Sequence, residues 1–189
     1  MSPFIARVAI SALFALSLSG CVESSIQIMS DSQAMLGPHP RLQFYGLRDG
    51  IAREPEQATF KWNGSIYVRT GGGMREVDGF SIHPFENGNY IVQEVPAKRK
   101  HMFEYAVMRK LVDGVYQVIV IDEDDADEAT RTARCGKGTK TDPASCRIQT
   151  RDQLFAFARA TVARHRDAGG LVIRLPDDPE KPARARRRR

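Results

Sequence analysis

Three short turns constrain the fold of this chain more than any other feature. "FKWNGSIYV" sets Asn63-Gly64 between two apolar alternating runs, "HPFENGNYIVQEV" does the same with Asn87-Gly88, and "MRKLVDGVYQVIVI" with Asp113-Gly114. Asn-Gly and Asp-Gly readily take φ > 0 at both central positions, which a type I′ hairpin turn requires. Tyr90, Val92, Tyr116, Val118 and Val120 alternate with their neighbours, the period of a strand with one buried face. Three hairpins in close succession predict an antiparallel meander. The patterns Phe85-x-Asn87-Gly88-x-Tyr90-x-Val92 and Leu111-x-Asp113-Gly114-x-Tyr116-x-Val118 share spacing, which is expected from the same hairpin chemistry, with a weak internal repeat as the alternative.

One helix is expected after the meander. Thr150-x-x-Gln153 is a capping box. Leu154, Phe157, Ala158, Thr161, Val162 and His165 then follow at three- and four-residue steps as one apolar stripe, and Gly169-Gly170 ends it. "LVIRL" reads as a final strand. Between meander and helix, the acidic stretch from Asp122 to Glu128 suits a helix start, and Arg147 to Gln149 reads as a short strand. The expected fold is mainly β (α+β): an antiparallel meander or small up-and-down barrel of about seven to nine strands, one C-terminal helix and a final strand. An open sheet remains the alternative. The order is loosely similar to lipocalin-like barrels, without the G-x-W motif of that family.

The N-terminus is an address. Arg7 precedes an apolar run from Val8 to Leu18, the layout of a secretory signal. The run is shorter than the roughly 20 residues a membrane helix needs. Leu18-Ser19-Gly20-Cys21 resembles the lipobox of bacterial lipoproteins. The resemblance covers only the signal and its junction. It implies a diacylglyceryl thioether on Cys21, cleavage before Cys21, and acylation of the new amine, for example by palmitate. Burial contributes about 0.8 kcal/mol per CH₂, so two or more chains anchor firmly where one does not. Val22 follows Cys21; the Asp that resembles an inner-membrane retention signal is absent, which favours the outer membrane, facing the periplasm. The expected organisation is a signal peptide over 1–20, a tether over 21–40, one β-rich domain over 41–175 and a disordered basic tail over 176–189. Part of the segment from Ile26 to Leu36 is alternatively a short helix packed on the domain.

With Cys21 assigned to lipid, Cys135 and Cys146 remain as an even pair in an oxidising compartment. A disulfide is expected to close "CGKGTKTDPASC", contributing roughly 3 kcal/mol in the chain-entropy model. A metal or redox pair is the weaker alternative, because the spacing is not C-x-x-C. The formal net charge is +5. In the last segment Lys181, Arg184, Arg186, Arg187, Arg188 and Arg189 outweigh Asp177, Asp178 and Glu180, so the body is close to neutral and no nucleic-acid-binding face is expected. Arg184, Arg186, Arg187, Arg188 and Arg189 suit an anionic envelope surface such as lipid headgroups, with about 1 kcal/mol per cation near such a membrane.

No motif for catalysis, cofactor or metal emerges. "CGKGTKT" lacks the glycine spacing of a phosphate loop. "GFSIH" puts His83 where a nucleophile elbow needs glycine, although Ser81 and His83 share one face of a strand. The pairs His83/Glu86 and His101/Glu104 fall on opposite strand faces and cannot chelate alone. The acidic run lacks the glycine and final glutamate of an EF-hand loop, and reads as a solvated loop facing Arg131, Arg134 and Lys137. The resulting expectation is a membrane-anchored, non-catalytic envelope lipoprotein that binds another protein or an envelope component. A lipocalin-like binder of a small hydrophobic ligand and an envelope hydrolase are the alternatives.

Overall fold

A computed structural model describes residues 22–48, 51–52, 54–75, 77–97, 102–135, 146–165 and 169–176. The strands are β1 (Val22–Ser24), β2 (Arg41–Tyr45), β3 (Leu47–Arg48), β4 (Ile51–Ala52), β5 (Glu56–Trp62), β6 (Tyr67–Gly72), β7 (Val77–Pro84), β8 (Asn89–Pro96), β9 (Phe103–Val112), β10 (Val115–Val120), β11 (Cys146–Arg147) and β12 (Gly170–Leu175). The α-helices are α1 (Glu128–Arg134) and α2 (Arg151–Arg164).

The meander closes. β2 and β5 to β10 pair in sequence, and β12 inserts between β10 and β2, giving a closed antiparallel barrel of eight strands. The expected helix and final strand are both present. Thr150 and Gln153 form the reciprocal capping box of α2, and Leu154, Phe157, Ala158 and Thr161 are buried, while Val162 and His165 lie at the margin. Gly169 leads into β12 at φ +112°, where an added Cβ would lie 2.5 Å from the Val118 carbonyl oxygen. Only glycine fits there without strain.

The three turns are not alike. At Asn87-Gly88 both residues take positive φ, 54° and 74°, as the primed turn demands. At Asn63-Gly64 only Gly64 does. There the Asn63 side chain accepts the N–H groups of Ser65 and Ile66 at 3.0 and 2.9 Å, so it shapes a wider turn through its amide oxygen. At Asp113-Gly114 only Gly114 is positive, and the register slips between Val115 and Tyr116, a bulged hairpin.

Alternation sorts the strand residues into two cores. Inside the barrel, Leu42, Phe44, Phe60, Tyr67, Phe80, Ile82, Val92, Met108, Tyr116 and Val172 pack together. Phe60 and Phe80 meet edge-on at 4.9 Å, Tyr67 stacks on Phe80 at 5.0 Å, and Trp62 lies 4.9 Å from Tyr67. The second core lies outside, where Ile91, Tyr105, Val107 and Ile121 are covered by Leu154, Phe157 and Ala158 of α2 and by Val22, Met29 and Ile148.

The segment expected as a tether is instead laid along the body, with Val22, Glu23, Ser24, Met29, Leu36 and Pro40 buried. β1 pairs with β9 at Phe103 and Glu104 and runs parallel to β11, and the Val22 N–H donates to the Ile121 carbonyl at 3.3 Å. It therefore takes the edge of β9 that β10 vacates after Val120. Further on, the Gln33 N–H donates to Ile82 O at 2.9 Å and the Ser32 hydroxyl to Ser65 O. This strap crosses the barrel's thinnest seam, since β6 and β7 share only the Tyr67/Phe80 and Val68/Gly79 pairs. Leu36, 2% exposed, joins the inner core, and its N–H donates to the Tyr67 hydroxyl at 2.8 Å. The covering is a sequence of backbone contacts with no regular helix, unlike the short helix considered for Ile26 to Leu36.

Candidate functional site

Among the described residues, the densest group of chemistry-bearing side chains sits between the barrel wall and the strap. Ser81 and His83 lie two apart on β7, so they share its outer face, and Gln93 of β8 pairs directly with Ser81. Ser81 Oγ and His83 Nε2 are 2.7 Å apart, Gln93 Nε2 donates to Ser81 Oγ at 3.5 Å, and Gln93 Oε1 accepts the Met29 N–H at 3.2 Å. With Gln93 as donor, the serine hydroxyl passes its proton toward Nε2, which leaves the imidazole proton on Nδ1.

This is the spacing of a nucleophile and its base. Access is what it lacks. His83 is 0% exposed and Ser81 1%, because the strap lies over them. Burial pushes the His83 pKa below the ordinary value, opposed by nearby Asp31, with Arg151 adding to the fall. Asp31 and Arg151 themselves pair at 3.8 Å on the surface above. The Gln93 amide ties the strap to the barrel through the Met29 N–H, and the neutral His83 is held by Ser81 in the same sealed layer. The same layer holds Tyr105, whose phenol burial pushes up to about 12.

The disulfide expected from the cysteine count joins Cys135 and Cys146, with Cα atoms 4.9 Å apart. It fastens the end of α1 to β11, and β11 in turn flanks β1. Glu123 has a carboxylate oxygen within 4.8 Å of both sulfurs. Sulfurs bonded to each other are not thiolate ligands, so this trio is no metal centre in the oxidised protein.

The acidic run forms a knuckle. Asp122 accepts the Asp124 N–H at the start of a 3₁₀ turn over Glu123–Asp125, and Asp127 caps α1 through the Thr130 N–H. Asp124 pairs with Arg131 at 3.0 Å, as the sequence suggested, and Asp125 meets His165 at 2.5 Å. Burial raises the Asp122 and Glu123 pKa values, with neighbouring acids adding to it, and the Thr130 N–H lowers that of Asp127. These carboxylates are engaged by backbone and cations of the fold. Glu86, set against His83 in the sequence, instead faces outward and pairs with Arg159 of α2. Cys21, Lys137, His101 and Arg184, Arg186, Arg187, Arg188 and Arg189 lie outside the described residues.

Sequence reasoning did not anticipate the roles of Gln93, Asp125 and Met29, nor the register that aligns Glu23, Glu104 and Glu94 on adjacent strands. No local pattern marks any of them, because each partner is supplied by another element of the chain. Among the described residues no helix is long and apolar enough to cross a membrane. Compared with known proteins, the chain matches no family model, no curated protein and no solved structure.

Proposed function

We propose that this chain is a lipid-anchored envelope protein, non-catalytic, that presents a closed β-barrel to a protein or envelope partner on the periplasmic side of the outer membrane. The observation that carries this reading is Leu18-Ser19-Gly20-Cys21 directly after an apolar run too short to span a bilayer. The sealed Ser81–His83 pair supports a non-catalytic role, since no substrate reaches a serine that is 1% exposed. The test is expression of the full chain in a Gram-negative host, followed by fractionation and intact mass. The wild-type protein is expected in membranes, beginning at Cys21 with added acyl mass. The Cys21→Ala chain is expected to lose the acyl mass and the mature cleavage. A wild-type protein recovered without acyl mass overturns the reading.

The closed barrel favours one second reading, a lipocalin-like binder of a small hydrophobic ligand. Against it stands the run of touching rings from Trp62 through Tyr67 and Phe80 to Phe60, which occupies the interior. Non-covalent mass retained by the protein in native mass spectrometry would favour the ligand binder.

A further inference from the structure

The corner where α1, β11 and the acidic knuckle meet holds an arrangement that the oxidised protein does not use. Glu123 opens the 3₁₀ turn, Cys135 ends α1 and Cys146 begins β11. Three separate elements thus bring one carboxylate oxygen and two sulfurs within 4.8 Å of one another. The other acids of the knuckle turn elsewhere: Asp122 accepts the Asp124 N–H, Asp124 pairs with Arg131, and Asp125 meets His165. Burial, with Asp124 and Asp122 adding to it, disfavours the charge on Glu123, and Arg131 offsets this only in part. A cation against the Glu123 carboxylate would relieve both effects. Cys146 is buried, whereas Glu123 and Cys135 keep some exposure, so an ion and a water have a way in. Two thiolates and a carboxylate are suitable ligands for a tetrahedral zinc site whose fourth position is water. Zinc bonds sulfur at about 2.3 Å and carboxylate oxygen at about 2.1 Å, which sets neighbouring ligands roughly 3.5–3.8 Å apart. Oxygen-to-sulfur separations of up to 4.8 Å contract to that by side-chain rotation.

We propose that Cys135, Cys146 and Glu123 form a binding site for a zinc-class divalent cation when the disulfide is reduced, and that disulfide formation expels the ion. A dithiol passes two electrons and two protons to the S–S bond, which breaks into two thiols while the dithiol closes to its own disulfide. The cation then displaces both thiol protons and binds two thiolates and the Glu123 carboxylate. A disulfide oxidant later takes two electrons from the thiolates and picks up two protons on its own sulfurs, the S–S bond re-forms, and the ion leaves. Metal and disulfide so alternate in one task, fastening α1 to β11 and through it holding β1. Thiols stay reduced in the cytosol and oxidise outside it, so an exported chain passes through both states. Lipid on Cys21 has no part in this site.

The test uses the full chain in detergent, carrying Cys21→Ala so that Cys135 and Cys146 are its remaining cysteines. It is reduced with a water-soluble phosphine under argon and titrated with cobalt(II) alone. One cobalt per chain is expected, with a thiolate-to-cobalt charge-transfer band and the visible bands of a tetrahedral site, all lost on adding zinc. Glu123→Gln is expected to weaken cobalt binding by more than the roughly tenfold typical of losing even an outer-sphere partner. The oxidised chain is expected to give no charge-transfer band. Zinc should also slow hydrogen exchange at Val22 in the reduced protein, back toward the oxidised rate. A reduced chain with no charge-transfer band overturns the site, as does equal affinity after Glu123→Gln or after Cys135→Ser. Loss of sheet signal in circular dichroism on reduction, if zinc does not restore it, overturns the site as well. Exchange at Val22 that zinc leaves unchanged overturns the fastening role.

Discussion

His83 shows how one side chain reports on the strap. Its pKa lies below the ordinary histidine value because burial penalises the charged form. The unfolded chain therefore takes up the proton first as pH falls. Stability from this residue is full above about pH 6.5 and is lost progressively as pH drops below it. The denaturant midpoint is expected to fall between pH 7 and pH 5, and His83→Leu should remove that part of the slope. The same variant leaves Ser81 without its partner, at about 1–3 kcal/mol by denaturation at pH 7. Leu36 offers a second check on the strap. It packs into the inner core at 2% exposure, so Leu36→Ala should cost about 2–5 kcal/mol in the same assay.

Elements here depend on one another across long sequence distances. β1 has three residues and survives only because β9 and β11 flank it. The disulfide holds β11 in place. Reduction is therefore expected to cost about 3 kcal/mol, read as a shift in the denaturation curve with and without reductant. It should also speed hydrogen exchange at Val22, whose N–H otherwise bonds to Ile121. β12 depends on Gly169 in a similar way. Gly169→Ala sets a Cβ against the Val118 carbonyl at a φ of +112°, and a loss of about 1–3 kcal/mol is expected in thermal or chemical unfolding.

The whole molecule is a barrel inside a partial second layer, and the two layers were unequally legible. The turns at Asn87-Gly88, Asn63-Gly64 and Asp113-Gly114, the capping box at Thr150 and the cysteine pair were readable in the chain because each is a local signal. Turn chemistry, helix capping and cysteine count act over a few residues or on composition alone. The details of two turns were not readable, since the choice between a primed turn and a bulged or wider one depends on strand register as well as on the dipeptide. The resemblance of Leu18-Ser19-Gly20-Cys21 to a lipobox is carried by the sequence alone. What tertiary structure alone decided was closure, through β12 slipping between β10 and β2, and the fate of the segment after Cys21. Ser24, Gln33 and their neighbours are polar enough to pass for a tether. They are ordered because β10 leaves an edge of β9 open and the seam between β6 and β7 is short. Unpaired backbone donors and acceptors in a closing sheet demand partners. Only the assembled barrel shows where those vacancies lie, and this explains why Val22 and Leu36 are buried core residues.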